Sequence, residues 1–90
     1  MITSAQMRAA RALLRIDQKA LAGLAGVSLP TIQRMEASEG TVRGNIGSLT
    51  KVVEALEREG VELIGDNAAS HGGGRGVRLK QPASSSHDDA

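Results

Sequence analysis

Two short segments with helical apolar spacing, "QKALAGLA" (residues 18–25) and "LPTIQRME" (29–36), are separated by only Gly26, Val27 and Ser28. No other feature restricts the fold of this chain as tightly. Asp17 and Ser28 stand just ahead of the two segments. Both are N-cap residue types, whose side-chain oxygen accepts a backbone N–H that the first helical turn leaves unpaired. Gly26 is the residue expected just past a helix C-terminus, where the chain turns left-handed. Leu21, Leu24 and Ala25 give the first segment a buried face, and Ile32 and Met35 do so for the second. The spacing therefore predicts two short helices joined by a tight turn, each with one face packed inward.

Pro30 sits where a helix breaker would be disruptive. With Ser28 as N-cap, however, it falls at the second helical position, where the amide has no intrahelical acceptor and the fixed φ is already helical. It fixes the start of a helix that runs to about Ala37. At about 100° per residue, Ile32 and Met35 then point inward. Pro30, Gln33, Arg34 and Ala37 point outward, with Leu29 and Thr31 at the borders. Arginine can make two hydrogen bonds to guanine and glutamine two to adenine in the DNA major groove. Taken alone, this helix face is explained better by simple solvation.

The rest of the chain reads as helix followed by strand. Residues 4–16 carry a helical pattern, with Met7, Ala10 and Leu14 on one stripe, Leu13 beside it and Ser4 as N-cap. "SEGTVRGN" reads as a loop. A further helix is expected from Asn45 or Ile46 to Glu59, with Ile46, Leu49, Val52, Val53 and Leu56 as its apolar stripe and Gly60 as its stop. Beyond Gly60 the period changes to two. "VELI" and "GVRLK" predict a hairpin pairing 61–65 with 76–80 across a glycine-rich connection. The polar ending "QPASSSHDDA" predicts disorder over 81–90. The organisation expected is thus a helical unit over 1–60, a hairpin over 61–80 suited to dimerisation, and a tail.

Composition removes several classes of function. The 90 residues include no Phe, Tyr, Trp or Cys. The core must be aliphatic, base stacking on aromatic side chains is excluded, and there is neither a disulfide framework nor a thiolate zinc site. No stretch approaches the roughly 20 apolar residues of a membrane span, and the N-terminus does not read as a signal peptide; a cytoplasmic protein is expected. His71 and His87 are isolated, and "HGGGRG" lacks the Gly-Lys-Ser/Thr ending of a P-loop. No nucleophile–base pair or paired carboxylates stand out, so neither an enzyme, a metal, a cofactor nor a small-molecule ligand is expected. The net charge is only +1, but residues 1–51 carry seven basic residues against three acids. The N-terminal half is the part suited to a polyanion.

A helix, a turn at Gly26-Val27 and a second helix form the helix-turn-helix arrangement. The run "LLRIDQKALAGLAGVSLPTIQRMEAS", residues 13–38, resembles the Cro/repressor-type helix-turn-helix of the XRE family. The landmarks are Asp17-Gln18, Ala22, Gly26-Val27-Ser28, Thr31-Ile32 and Glu36. The resemblance covers residues 3–59. It implies a mainly α, four-helix Cro/repressor-like domain followed here by a short hairpin, suited to completing a dimer sheet, where phage repressors have a fifth helix. "GVELI…GGGRGVRLK" resembles a C-terminal extension of small regulators in this family. The function implied is a sequence-specific, double-stranded DNA-binding transcriptional regulator, repressor-like, with helix 28–37 in the major groove of a two-half-site operator bound by a homodimer. The alternative is a protein–protein module of the same fold, an antitoxin or adaptor.

By the same resemblance, Thr31, Gln33 and Arg34 read bases by hydrogen bonding. Leu29 and Pro30, where phage repressors often have polar residues, can only pack on a thymine methyl or a sugar. Gln18 and Ser28 are implied at the phosphates, and Arg11 with Glu36 as a partly buried ion pair. Lys19, Arg43 and Asn45 are further phosphate candidates, for which solvated surface is an equally good account. Arg8, Arg15 and Lys51 complete the basic set.

Overall fold

The computed structural model describes residues 2–42, 45–65, 72, 74 and 76–79. In chain order these form α1 (Ser4–Leu14), α2 (Gln18–Ala25), α3 (Leu29–Glu36), α4 (Ile46–Arg58), β1 (Val61–Ile64) and β2 (Gly76–Leu79). The molecule is mainly helical, with a small antiparallel hairpin after the helices. Among the described residues no helix is long and apolar enough to cross a membrane.

A side chain caps the start of every helix. Asp17, Ser28 and Asn45 accept from the backbone N–H three residues on, as their residue types predict. The first cap differs from the expectation: it is Thr3, one residue before Ser4. Thr3 Oγ1 accepts from the Gln6 amide at 3.1 Å, and Gln6 Oε1 accepts from the Thr3 amide at 2.9 Å. Ser4 could not close this reciprocal box, because Met7 would then stand where Gln6 is needed. The end of α1 also differs from the predicted span to residue 16. Arg15 takes a left-handed conformation (φ 59°) and stops the helix at Leu14. Ile16 then donates back to the Arg11 carbonyl at 3.1 Å.

The core is aliphatic throughout. Met7, Leu21, Ile32, Met35, Val52, Leu56 and Val61 are fully buried, so all four helices and β1 contribute. Burying each such side chain contributes about 1.5–3 kcal/mol. In this core α2 packs on α3 and α4, α1 on α3 and β2, and α4 on β1.

The segment read as loop is partly paired. Thr41 bridges Thr3, the Val42 amide donates to the Ile2 carbonyl at 2.9 Å, and Ile2 and Val42 are both buried. The stripe on α4 is also narrower than its sequence suggests. Leu49, Val52, Ala55 and Leu56 are buried, but Ile46 is 80% exposed. At about 100° per residue it lies roughly 120° around the helix from Val52.

In the hairpin, Val61 pairs with Leu79 and Ile64 with Gly76, within the predicted range. Residue 80 of the expected strand, and the disorder expected over 81–90, lie outside the described residues. A two-stranded hairpin is marginal by itself in water. Here Val61 enters the core, and Gln6 Nε2 donates to the carbonyls of Ile64 (3.0 Å) and Gly76 (2.8 Å). One buried glutamine thus caps α1 and holds both strands.

Candidate nucleic-acid interface

The geometry of α3 is set at its start. Gly26, at φ 70°, ends α2, and the Val27 amide returns to the Ala22 carbonyl at 3.1 Å. Two residues after Gly26, Ser28 Oγ accepts from the Thr31 amide at 3.2 Å. Pro30 lies in the first turn and costs no hydrogen bond.

The inner face of α3 carries Ile32, Met35 and Glu36, all buried. Glu36 is the centre of a polar cluster. Arg11 Nε donates to Glu36 Oε2, and Arg11 Nη2 to Glu36 Oε1, both at 2.7 Å. This is the forked guanidinium–carboxylate pairing that gives both strength and direction. Gln18 Nε2 donates to the same Oε1 at 3.2 Å, and Arg8 Nη1 donates to the Glu36 backbone carbonyl at 2.8 Å. The hydrogen bond to Glu36 raises the Arg11 pKa from its ordinary value, against the lowering effect of burial. A raised arginine pKa keeps the pair's contribution present below the unfolded-state value. On the arginine side it is lost as pH rises through the folded-state value, in the strongly alkaline range. Helices α1, α2 and α3 are therefore tied together at one carboxylate.

The outer face is different in kind. Pro30, Gln33, Arg34 and Ala37 are exposed, and Leu29 and Thr31 are half-buried at its borders. Among the described residues, neither the Gln33 amide nor the Arg34 guanidinium has a hydrogen-bond or ion-pair partner. The Thr31 hydroxyl is less available, since it shares a 2.8 Å hydrogen bond with the Ser28 hydroxyl.

No protein-family model matches this chain, and no curated protein sequence matches it. The candidate site therefore stands on its own geometry.

The described basic residues sort into two groups. Arg8 and Arg11 serve α3, Arg58 Nη2 donates to the Leu24 carbonyl at the end of α2 (3.1 Å), and Arg78 pairs with Glu62. Arg15, Lys19, Arg34 and Lys51 have no such partner among the described residues. Arg43 lies outside the described residues.

Of the phosphate candidates, Lys19 is exposed, while Asn45 Oδ1 is used as a cap at 2.7 Å from the Ser48 amide. Gln18 is the candidate whose surroundings differ most from the sequence picture. Its amide nitrogen faces Glu36, so contact with a phosphate would use the second N–H of that group.

Sequence reasoning missed Arg8, Gln6 and Arg58 as tethers. Their acceptors lie 28, 58 and 70, and 34 residues away respectively. No local spacing signals such pairs.

Proposed function

We propose that this protein is a sequence-specific, double-stranded DNA-binding transcriptional regulator built on a Cro/repressor-type helix-turn-helix. In this reading α2 and α3 are the two helices of the motif, and α3 enters the major groove. The observation that carries the reading is the contrast between the two faces of α3. One face is fixed by packing and by the Glu36 cluster, and the other offers Gln33 and Arg34 to solvent with no partner among the described residues.

A base-reading helix needs both properties. Its donors must be free, and its placement must be rigid, because discrimination between bases depends on bidentate geometry. Arg34 and Gln33 carry the hydrogen-bonding part of that recognition. Leu29 and Pro30 offer apolar contact, and Thr31 contributes after giving up its bond to Ser28. Lys19, Arg15 and the N-terminal amides of α2 supply sequence-independent attraction to phosphates. The protein acts as a homodimer, which sets two α3 helices about 34 Å apart, on successive major grooves of one duplex face.

Selection of bound fragments from random duplex DNA tests the reading. A two-fold-related consensus is expected, with affinity falling steeply as salt rises. Recovery of no enriched sequence, with salt-insensitive or absent binding, would refute it.

A further inference from the structure

One flank of α4 combines an exposed apolar side chain with an apolar-walled groove. At its start Ile46 projects into solvent, 80% exposed. Further along, a groove of about 390 Å³ lies beside the helix, walled by Ile2, Leu49, Val53 and Leu63 and rimmed by Glu54 and Glu57. No cation is among the residues that line it. At about 100° and 1.5 Å per residue, Ile46, Val53 and Glu57 fall within roughly 40° of one another along some 16 Å of helix. Projection and hollow thus share one surface.

We propose that a second copy of this chain docks on this flank, with the two α4 helices antiparallel across a two-fold axis near Thr50. Ile46 of each copy then enters the groove of the other, which is the self-complementarity that a two-fold interface requires. Charge favours the same arrangement. The second half of α4 carries Glu54 and Glu57, whereas its first turn carries no acid and presents the positive end of the helix dipole. Antiparallel packing sets the acidic half of one copy against the amide-rich start of the other. Parallel packing would bring four carboxylates together. The surface is small, centred on one 13-residue helix, so the association is reversible and depends on concentration. This inference gives the homodimer of the reading above its contact surface. Association is measured without DNA, so failure of the interface and failure of DNA recognition are seen separately.

The chain has no cysteine, which permits single-cysteine cross-linking of the full-length protein. Thr50→Cys is expected to form a disulfide-linked dimer under mild oxidation, faster than Leu79→Cys, which marks the half-exposed end of the hairpin. In sedimentation, Ile46→Glu is expected to raise the dimer dissociation constant about tenfold or more, with an unchanged thermal midpoint at concentrations where both proteins are monomeric. A natural chain that sediments as a monomer at high micromolar concentration would overturn the proposal. So would Leu79→Cys cross-linking as fast as Thr50→Cys, which would place the contact at the strand edge, or dimerisation unaffected by Ile46→Glu.

Discussion

Among the described residues two arginine–glutamate pairs brace different parts of this molecule, and their surroundings make them unequal. Arg11 and Glu36 join α1 to α3 through two 2.7 Å hydrogen bonds, with the carboxylate side chain only 3% exposed. Arg78 and Glu62 join the hairpin strands at 2.9 Å, but their side chains are 51% and 39% exposed. The distances are similar and the consequences are not. A buried carboxylate without its partner is left costly in a medium that cannot solvate it, whereas an exposed one returns to water. The comparison shows where the sequence invests in rigidity: at the helix proposed to read DNA, and much less at the hairpin.

The largest effect is expected from Arg11→Ala. It leaves Glu36 buried with only Gln18 as a side-chain donor, and chemical denaturation should show a loss of about 3–5 kcal/mol. The double variant Arg11→Met/Glu36→Leu sharpens the point. It should recover most of that loss in stability, yet bind DNA less selectively, because α3 is no longer steered by a directional bond. A double variant as unstable as the single one would show that the loss came from packing of the arginine stem.

An intermediate effect is expected from Gln6→Ala. It removes the reciprocal cap and both bonds to the strand carbonyls, costing about 1–3 kcal/mol. Amide exchange should accelerate in the hairpin and at the start of α1, while α2 and α3 keep their protection. Uniform acceleration would mean that the hairpin is no more separable than the helices.

The smallest effect is expected from Glu62→Ala, below about 1 kcal/mol and reduced further by salt. A loss comparable to that of Arg11→Ala would break the comparison outright.

The parts of the fold that the sequence announces are those governed by neighbours a few residues apart. Asp17, Ser28, Asn45 and Gly26 mark helix ends through local hydrogen bonds, and all four sit where their chemistry requires. The inner and outer faces of α3 follow from its start alone. Thr3 was hidden because Ser4 beside it is an equally good cap type, and only Gln6 at the right spacing separates them. Ile46 misled because an apolar residue at the first position of a helix continues a periodic pattern without being turned toward the core. The engagement of Gln18 with Glu36, and of Arg8 with the end of α3, depends on three helices meeting. Such meetings are properties of packing, so Gln18 read from sequence as an outward grip while its amide points partly inward.

The central claim is that α3 has one locked face and one reading face, with Arg34 speaking from the second. It is tested most directly by Arg34→Ala, measured for affinity across a panel of operators differing by single base pairs at constant salt. The account predicts folding stability within about 0.5 kcal/mol of the natural protein. It also predicts a loss of about 1–3 kcal/mol in discrimination at one base position per half-site, with preferences elsewhere retained. An equal loss of affinity on every sequence would make Arg34 a phosphate contact, and unchanged binding on all of them would contradict the assignment of α3 as the reading helix.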